Sequence, residues 1–316
     1  MNQADLGFDT MGGRGRVVLA SPTRSQAELD ALGDAVLTVC DDVETHLSRF
    51  DPDSELSRFN RGEQPAGSSS ELLRRLALAA RWAGETTDGL VDATLLGELR
   101  RSDAPRAVLA DALAAAPERG PARGRAARAY ETLRVSQRGE VRRAAGVGLD
   151  SGGLAKGLAA DLAAELMPAD VRYAISVCGD LAVGGGAQQI VVEPAAPGGT
   201  PVTLTVGREK GACPLFPGGV ATSGIGARLW QRADGTYAHH LLDPSTGEPA
   251  WTGLVAVTAV AGGALAAEVL AKHALLAGPR AARRLLRRAG GGVLQHEDGT
   301  LEPVVAAPVV RLKVPA

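Results

Sequence analysis

Apolar residues recur at helical spacing in QAELDALGDAVLTVCDDVETHLSRF, where Leu29, Leu32, Val36, Val39, Val43 and Leu47 share one stripe. The preceding GRVVLA has the short, branched character of a strand, so a strand followed by a long helix is expected at the start of the fold. A loop, DPDSELSRFNRGEQPAGSSS, leads to a second helix. Its start is marked by Ser68 with Glu71 three residues on, and its apolar face by Leu72, Leu76, Ala79 and Ala83. PERGPARGRAARAY, rich in Pro, Gly and Arg, reads as an exposed loop before a hairpin at ETLRVSQRGEVRRAA. The pattern then predicts a helix over 156–167, short strands at RYAISV, QIVVE and VTLTV, a segment LVAVTAV and two more helices. Strands and helices mix without strict βαβ alternation, which indicates an α+β fold of mixed sheets packed with helices. The sequence carries no internal repeat at solenoid periods.

Composition narrows the partners more than the fold. A chain of 316 residues can bury a substantial core in one large domain or two small ones. With 34 Lys and Arg against 36 Asp and Glu, the formal charge of −2 gives no overall pull toward nucleic acid, and no basic run suggests a membrane surface. The opening MNQADLGFDTMGGRGRVVLA has no apolar h-region, and no stretch approaches the roughly 20 apolar residues of a membrane span, so a cytoplasmic protein is expected. Cys40, Cys178 and Cys213 are widely spaced with no CxxC, which fits small buried hydrophobes rather than a disulfide framework or a zinc site. Lysine occurs only at Lys156, Lys210, Lys272 and Lys313, so arginine supplies nearly all the positive charge.

Candidate chemistry gathers in short stretches. In GLDSGGLAKGLAADLAAELM, Asp150 and the Gly152–Gly153 pair precede a helix on which Leu158, Leu162 and Leu166 share a face. Free N–H groups at such a start can hold an anion, although for this stretch taken alone a tight turn with Lys156 in solvent is the favoured account. VCGDLAVGGG fits a strand running into a glycine turn with Asp180 exposed at its end, or an ordinary hairpin turn. Thr222, Ser223 and Gly224 follow a short strand and offer hydroxyls and amides to a phosphate. Asp92 and Thr94 in DGLVDATLLGELR are placed to cap a following helix. HHLLDPSTGEPA packs two histidines, an aspartate, two prolines and a Gly-ended turn into one short segment.

Taken in order, FDTMGG, SRFDPDSELSRFN, DGLVDATLLGEL, LDSGGLAKG, SVCGD, VATSG, HHLLDPSTGEPA and AAEVLAKHALLAG resemble the ApbE family of FAD:protein FMN transferases over nearly the whole chain. The most specific pieces are DxGGxAKG, ATSG and HHLxDPxTGxPA. The resemblance implies one domain over 1–316 that binds FAD as substrate, splits its pyrophosphate, moves FMN onto a Thr or Ser hydroxyl of an acceptor protein and releases AMP. It implies His240 as the catalytic group, a proton acceptor because an imidazole titrates near neutral pH, with Asp243 and Gly247 holding its turn. Met11 is implied at the flavin with Asp92 and Thr94 near it, Lys156 at the nucleotide, Asp180 in the same FAD site, and Thr222 and Ser223 beside the phosphates. His239, on the opposite face of an extended segment, is expected to be nearly silent. Two alternatives stay open: an FAD-binding protein without transferase activity, and an FAD pyrophosphatase releasing FMN and AMP.

The family also implies Mg2+, held by a backbone carbonyl at the Gly153 position and by two side chains four residues apart in the late helix, an Asp and then a Thr or Asp. Here those side chains are Glu268 and Lys272. An ammonium cannot ligate a metal. The pair is then an ordinary i, i+4 ion pair, or the ammonium occupies the space of the ion, or Lys272 swings to solvent and leaves Glu268 and the Gly153 carbonyl to hold a metal. Two smaller departures are MGG for MGT, and Cys178 in place of the first glycine of GGD.

Overall fold

The computed structural model describes residues 1–63, 69–98, 106–195, 200–206 and 218–306, and its first strand precedes the one the hydropathy pattern predicts. β1 (Asn2–Thr10) pairs antiparallel with β2 (Gly13–Ser21) across the two-residue turn Met11–Gly12, with φ of 48° and 72°. Positive φ at both turn positions suits the twist of a hairpin. β1 was hidden from the pattern because only its Ala4 and Thr10 are buried.

α1 (Gln26–Leu47) begins with a capping box between Ser25 and Glu28 and buries Leu29, Val36, Cys40, Val43 and Leu47. The expected loop after it contains a short helix, α2 (Glu55–Arg61). α3 (Glu71–Thr86) starts at Ser70, whose hydroxyl accepts the Leu73 N–H at 3.1 Å; Ser68, the expected start, lies outside the described residues. α4 (Leu109–Ala115) follows. PERGPARGRAARAY is largely exposed but pinned by Tyr130, which is fully buried against Gly84. The hairpin after it is β3 (Arg134–Val135) with β4 (Val141–Arg142), as expected.

The predicted helix over 156–167 is α5 (Ala155–Glu165). Its buried residues are Ala155, Gly157, Leu158, Ala159, Ala160 and Ala163, whereas Leu166 is exposed. The leucine face expected from the sequence is therefore only partly inward. α5 touches α1, the last helix and the sheet at once, and small side chains permit that close packing.

The remaining strands are β5 (Arg172–Val177), β6 (Asp180–Gly184), β7 (Gln188–Val192), β8 (Val202–Val206), β9 (Gly218–Gly224), β10 (Leu229–Gln231), β11 (Tyr237–His239) and β12 (Leu254–Ala261). Then come α6 (Ala264–Arg288), β13 (Gly292–His296) and β14 (Leu301–Val304). α6 breaks at Gly278, with φ 77° ahead of Pro279, so the two expected helices are two arms of one bent element.

Eight of the strands form one antiparallel sheet in the order β1-β2-β5-β6-β9-β12-β13-β14. α1 packs on β1 and β2, α5 on β5 and β6, and α6 on β9 and β12, which makes the α+β architecture. One core cluster lies among α1, α3, α5 and the β2–β5 half, and a second among α6, β12 and the 225–257 segment. Among the described residues no helix is long and apolar enough to cross a membrane.

Candidate functional site

The start of α6 is fixed from outside the helix. Its N-cap, Gly263, has no side chain to cap with, and Asp161 of α5 instead accepts the Ala264 N–H at 2.7 Å and the Leu265 N–H at 3.0 Å. The two helices come so close that a Cβ on Gly157 would lie 2.7 Å from the Leu265 Cα. That approach sets Glu268, one turn further along α6, against the first turn of α5. Glu268 Oε2 accepts the Gly157 N–H at 3.0 Å, at the end of α5 where the helix dipole favours an anion.

Two lysines converge there. Lys156 Nζ is paired with Asp180 and lies 3.4 Å from Glu268 Oε1. Lys272 Nζ donates to the Gly153 carbonyl at 2.8 Å and stands 3.9 Å from the same Glu268 oxygen. Lys156 is thus held among carboxylates and is not a free solvent lysine. Asp180, expected exposed, is 1% exposed at the first position of β6, because the turn that precedes it is the two-residue Cys178–Gly179 link from β5. Cys178 adopts φ 51° there, a region that favours glycine.

The charges follow from this packing. Burial alone would lower the Lys156 ammonium, but the Glu268 and Asp180 carboxylates outweigh it and raise its pKa. Burial would raise Glu268, and the two lysines hold it below the usual carboxylate range. Asp180 is raised by burial and by the Glu268 charge. Lys272 is lowered by burial, against the pull of Glu268. Just upstream, Asp150 is raised by burial although the Arg49 guanidinium lies 3.2 Å away.

The DPSTG turn is built around Asp243. Its Oδ1 accepts the Ser245 N–H at 2.9 Å, the Ser245 hydroxyl at 2.7 Å and the Arg123 N–H at 3.1 Å, and its carbonyl accepts the Gly247 N–H at 2.8 Å. Gly247 sits at φ 72°, and a Cβ there would approach Glu98 Cγ to 3.2 Å, so Asp243 and Gly247 do hold this turn.

The histidines ahead of the turn differ in setting. His239 is fully buried, packs edge-on against Trp251 with ring centroids 4.8 Å apart, and accepts the Leu241 N–H on Nδ1 at 3.3 Å. His240 is half-buried, and its Nδ1 has no hydrogen-bond partner among the described residues. Burial, the Arg228 charge, His239 and Lys272 push His240 down to about 3. With its pKa lowered in this way the ring is neutral near pH 7.

Asp92 and Thr94 do not cap a helix, because residues 92–98 form turns. Asp92 Oδ1 accepts the Thr94 N–H at 2.8 Å and the Thr94 hydroxyl at 2.5 Å. Arg125 then grips Asp92 at 3.1 Å, the Thr94 hydroxyl at 2.7 Å and Glu98 at 3.2 Å. Arg125 was missed in the sequence because it lies in the stretch taken for an exposed loop. A basic residue able to answer two nearby acids was the available signal. Thr222 and Ser223 are inside β9 and not in a turn after it, and the Thr222 hydroxyl shares a 2.8 Å hydrogen bond with Thr258 of β12.

Met11 lies at the β1–β2 turn, where its N–H donates to Glu44 at 2.7 Å. The Cys178 thiol reaches the neighbouring Thr10 carbonyl at 3.1 Å. Cys40 is buried as expected and its thiol is pushed up to about 12 by burial, while Cys178 is half-buried and Cys213 lies outside the described residues. Direct contacts thus join Gly153, Lys156, Asp180, Glu268 and Lys272 in one cluster, and Asp92 and Thr94 to Asp243 through the 123–125 segment. Of that first group, the Lys272 charge is among the causes that lower His240.

Comparison with known proteins adds what geometry alone leaves open. A model of the ApbE family matches residues 11–294. The FAD:protein FMN transferase of Salmonella typhimurium is 28% identical over 303 residues, covering 89% of this chain and 80% of that protein. Among solved structures, the Pseudomonas stutzeri flavinyl transferase ApbE in its apo form superposes with a TM-score of 0.71 at 24% identity, covering 98% of both chains. The ApbE protein of Thermotoga maritima gives 0.70 at 23% identity, covering 96% of this chain and 97% of that one. The Vibrio cholerae flavin transferase ApbE gives 0.69 at 21% identity, covering 97% of each. At these identities the structural likeness speaks for the fold, while the family model spans all but the two ends of the sequence, and the chain belongs to the ApbE family.

Proposed function

We propose that this chain is an FAD:protein FMN transferase, which moves FMN from FAD onto a Thr or Ser hydroxyl of an acceptor protein and releases AMP. The observation that carries this reading is membership of the ApbE family across residues 11–294, alongside a relative named for that activity. Phosphoryl transfer depends mainly on positioning and on charge set against the phosphates. Lys156 and Lys272 provide that charge beside the first turn of α5. Asp180 and Glu268 hold the two ammonium groups in place. Met11, Asp92, Thr94, Thr222, Ser223 and Asp243 belong to the same FAD site, with Asp92, Thr94 and Asp243 acting through the turns they brace.

His240 takes the proton in this reading. The acceptor oxygen bonds to the phosphorus of the FMN half, the bond from that phosphorus to the AMP oxygen breaks, and the hydroxyl proton passes to the free Nδ1 of His240. Arg228 and Lys272 are among the charges that hold the imidazole down. A bound pyrophosphate offsets both of them. The ring thereby becomes a better base when substrate is present.

The test is incubation of the purified protein with FAD and a flavinylatable acceptor domain. Flavin fluorescence that stays with the denatured acceptor, with one AMP released per flavin attached, is the expected result. Free FMN and AMP without labelling would make the chain a pyrophosphatase. FAD binding without either product would make it a binding protein.

A further inference from the structure

Two of the four lysines in this arginine-rich chain meet at a single carboxylate oxygen, Glu268 Oε1, at 3.4 Å from Lys156 and 3.9 Å from Lys272. The Lys272 ammonium also takes the Gly153 carbonyl at 2.8 Å. Glu268 Oε2 is occupied by the Gly157 N–H. A divalent ion such as Mg2+ needs oxygens free and aimed at one point. Here the carbonyl and the carboxylate that could supply them are already turned on an ammonium, which has only protons to offer. Among the described residues no group of three or more His, Cys, Asp or Glu could hold a metal. The residues present do not fit Mg2+.

Three further observations make the lysine a fitted part. Glycine at 153 leaves the room it uses, since a Cβ there would lie 2.9 Å from Lys272 Nζ. Arginine, the usual cation of this chain, would bring a planar fork, whereas an ammonium is a compact point charge. Asp180 and Glu268 are already balanced by Lys156 and Lys272, and the nearby Asp150 by Arg49 at 3.2 Å, so a dication would enter a largely buried place whose carboxylates are each already paired with a cation.

We propose that the Lys272 ammonium, held between the Gly153 carbonyl and the Glu268 carboxylate, is a built-in cation that takes the place of a divalent metal. The chain accordingly binds its flavin nucleotide without one, a consequence that rests on the function proposed above. As a single charge it polarises a phosphoryl oxygen less than a dication, so transfer is slower than with a bound metal.

The first test needs no flavin. The EDTA-stripped full chain is titrated with Mn2+ while free ion is followed by electron paramagnetic resonance. Wild type takes up no stoichiometric Mn2+, and a Glu268→Asp, Lys272→Thr double variant, checked for folding by circular dichroism, gains one site per chain. Calorimetry with FAD gives wild type the same affinity in EDTA as in Mg2+. One Mn2+ bound per wild-type chain overturns the proposal, as does a folded double variant that gains none. So does a rise of about tenfold or more in wild-type FAD affinity on adding Mg2+, because linkage requires a metal that shares the site to couple to the ligand. If the double variant does not fold, the wild-type titrations decide. Loss of FAD binding in both buffers would sink the flavin reading, and the Mn2+ arm would still judge the lysine.

Discussion

At the scale of single residues, the two adjacent histidines differ in setting. Each has one buried ring nitrogen without a partner among the described residues, Nδ1 of His240 and Nε2 of His239, but His239 is enclosed against Trp251 whereas the Arg228 and Lys272 charges bear on His240. His240→Gln is expected to lower FMN transfer by about 10²–10⁴, the usual cost of losing a general base, while FAD affinity changes little. Stopped-time assays of acceptor labelling beside calorimetry check this, and equal turnover would remove His240 from the mechanism. His239 was expected to be silent on the argument that neighbours in an extended segment face opposite ways. In turnover that expectation stands as a prediction. Its enclosure gives it a structural part that the sequence did not reveal, because adjacent histidines look alike until one of them is covered.

At the scale of elements, the site depends on how closely α5 and α6 cross. Gly157→Ala is a test by sign. In an exposed helix the change would stabilise by about 1 kcal/mol through propensity. Here the new methyl would meet the Leu265 backbone, and overpacking of that kind costs about 1–3 kcal/mol, so a net loss in urea midpoint is expected. A gain would mean the helices are not in contact at that point. Asp161→Ala should cost about 0.5–2 kcal/mol by freeing the Ala264 and Leu265 N–H groups at the start of α6. Asp161 did not stand out in the sequence, because a cap from another helix has no local signature, and Gly157 stood out only as the last position of DxGGxAKG, not as a helix contact. What was legible were elements with strong periodicity, such as α1, and turns with fixed chemistry, such as Asp243 to Gly247. Polar β1, the short α2 and Arg125 were not. Their placement comes from partners distant in sequence, and the same holds for the burial of Asp180, which is set by its neighbour strands β5 and β9.

At the scale of the whole molecule, burying neutral histidines makes stability depend on pH, and the sign can be worked out. Burial pushes His239 down to about 3 in the folded chain, while the unfolded chain keeps a value near 6.5. Below about 6.5 the unfolded state takes up a proton that the native state refuses, so the stabilisation is present above that pH and is lost as pH falls toward the folded value. Asp150, Asp161 and Asp180 act in the opposite sense, since burial raises each of them and the native state holds their protons to higher pH. The net acid profile therefore mixes both signs, and a single melting curve cannot assign it. The difference between wild type and His239→Gln removes the carboxylates from the comparison, because both proteins carry them. The stability gap between the two should shrink by roughly 1.6 kcal/mol as pH is lowered from 6.5 to about 5, since the unfolded histidine is half protonated at the start of that range and each full proton contributes about 1.4 kcal/mol per pH unit. Urea denaturation at half-unit intervals of pH measures that gap. A gap that stays constant would mean that His239 is able to ionise within the fold despite its enclosure against Trp251.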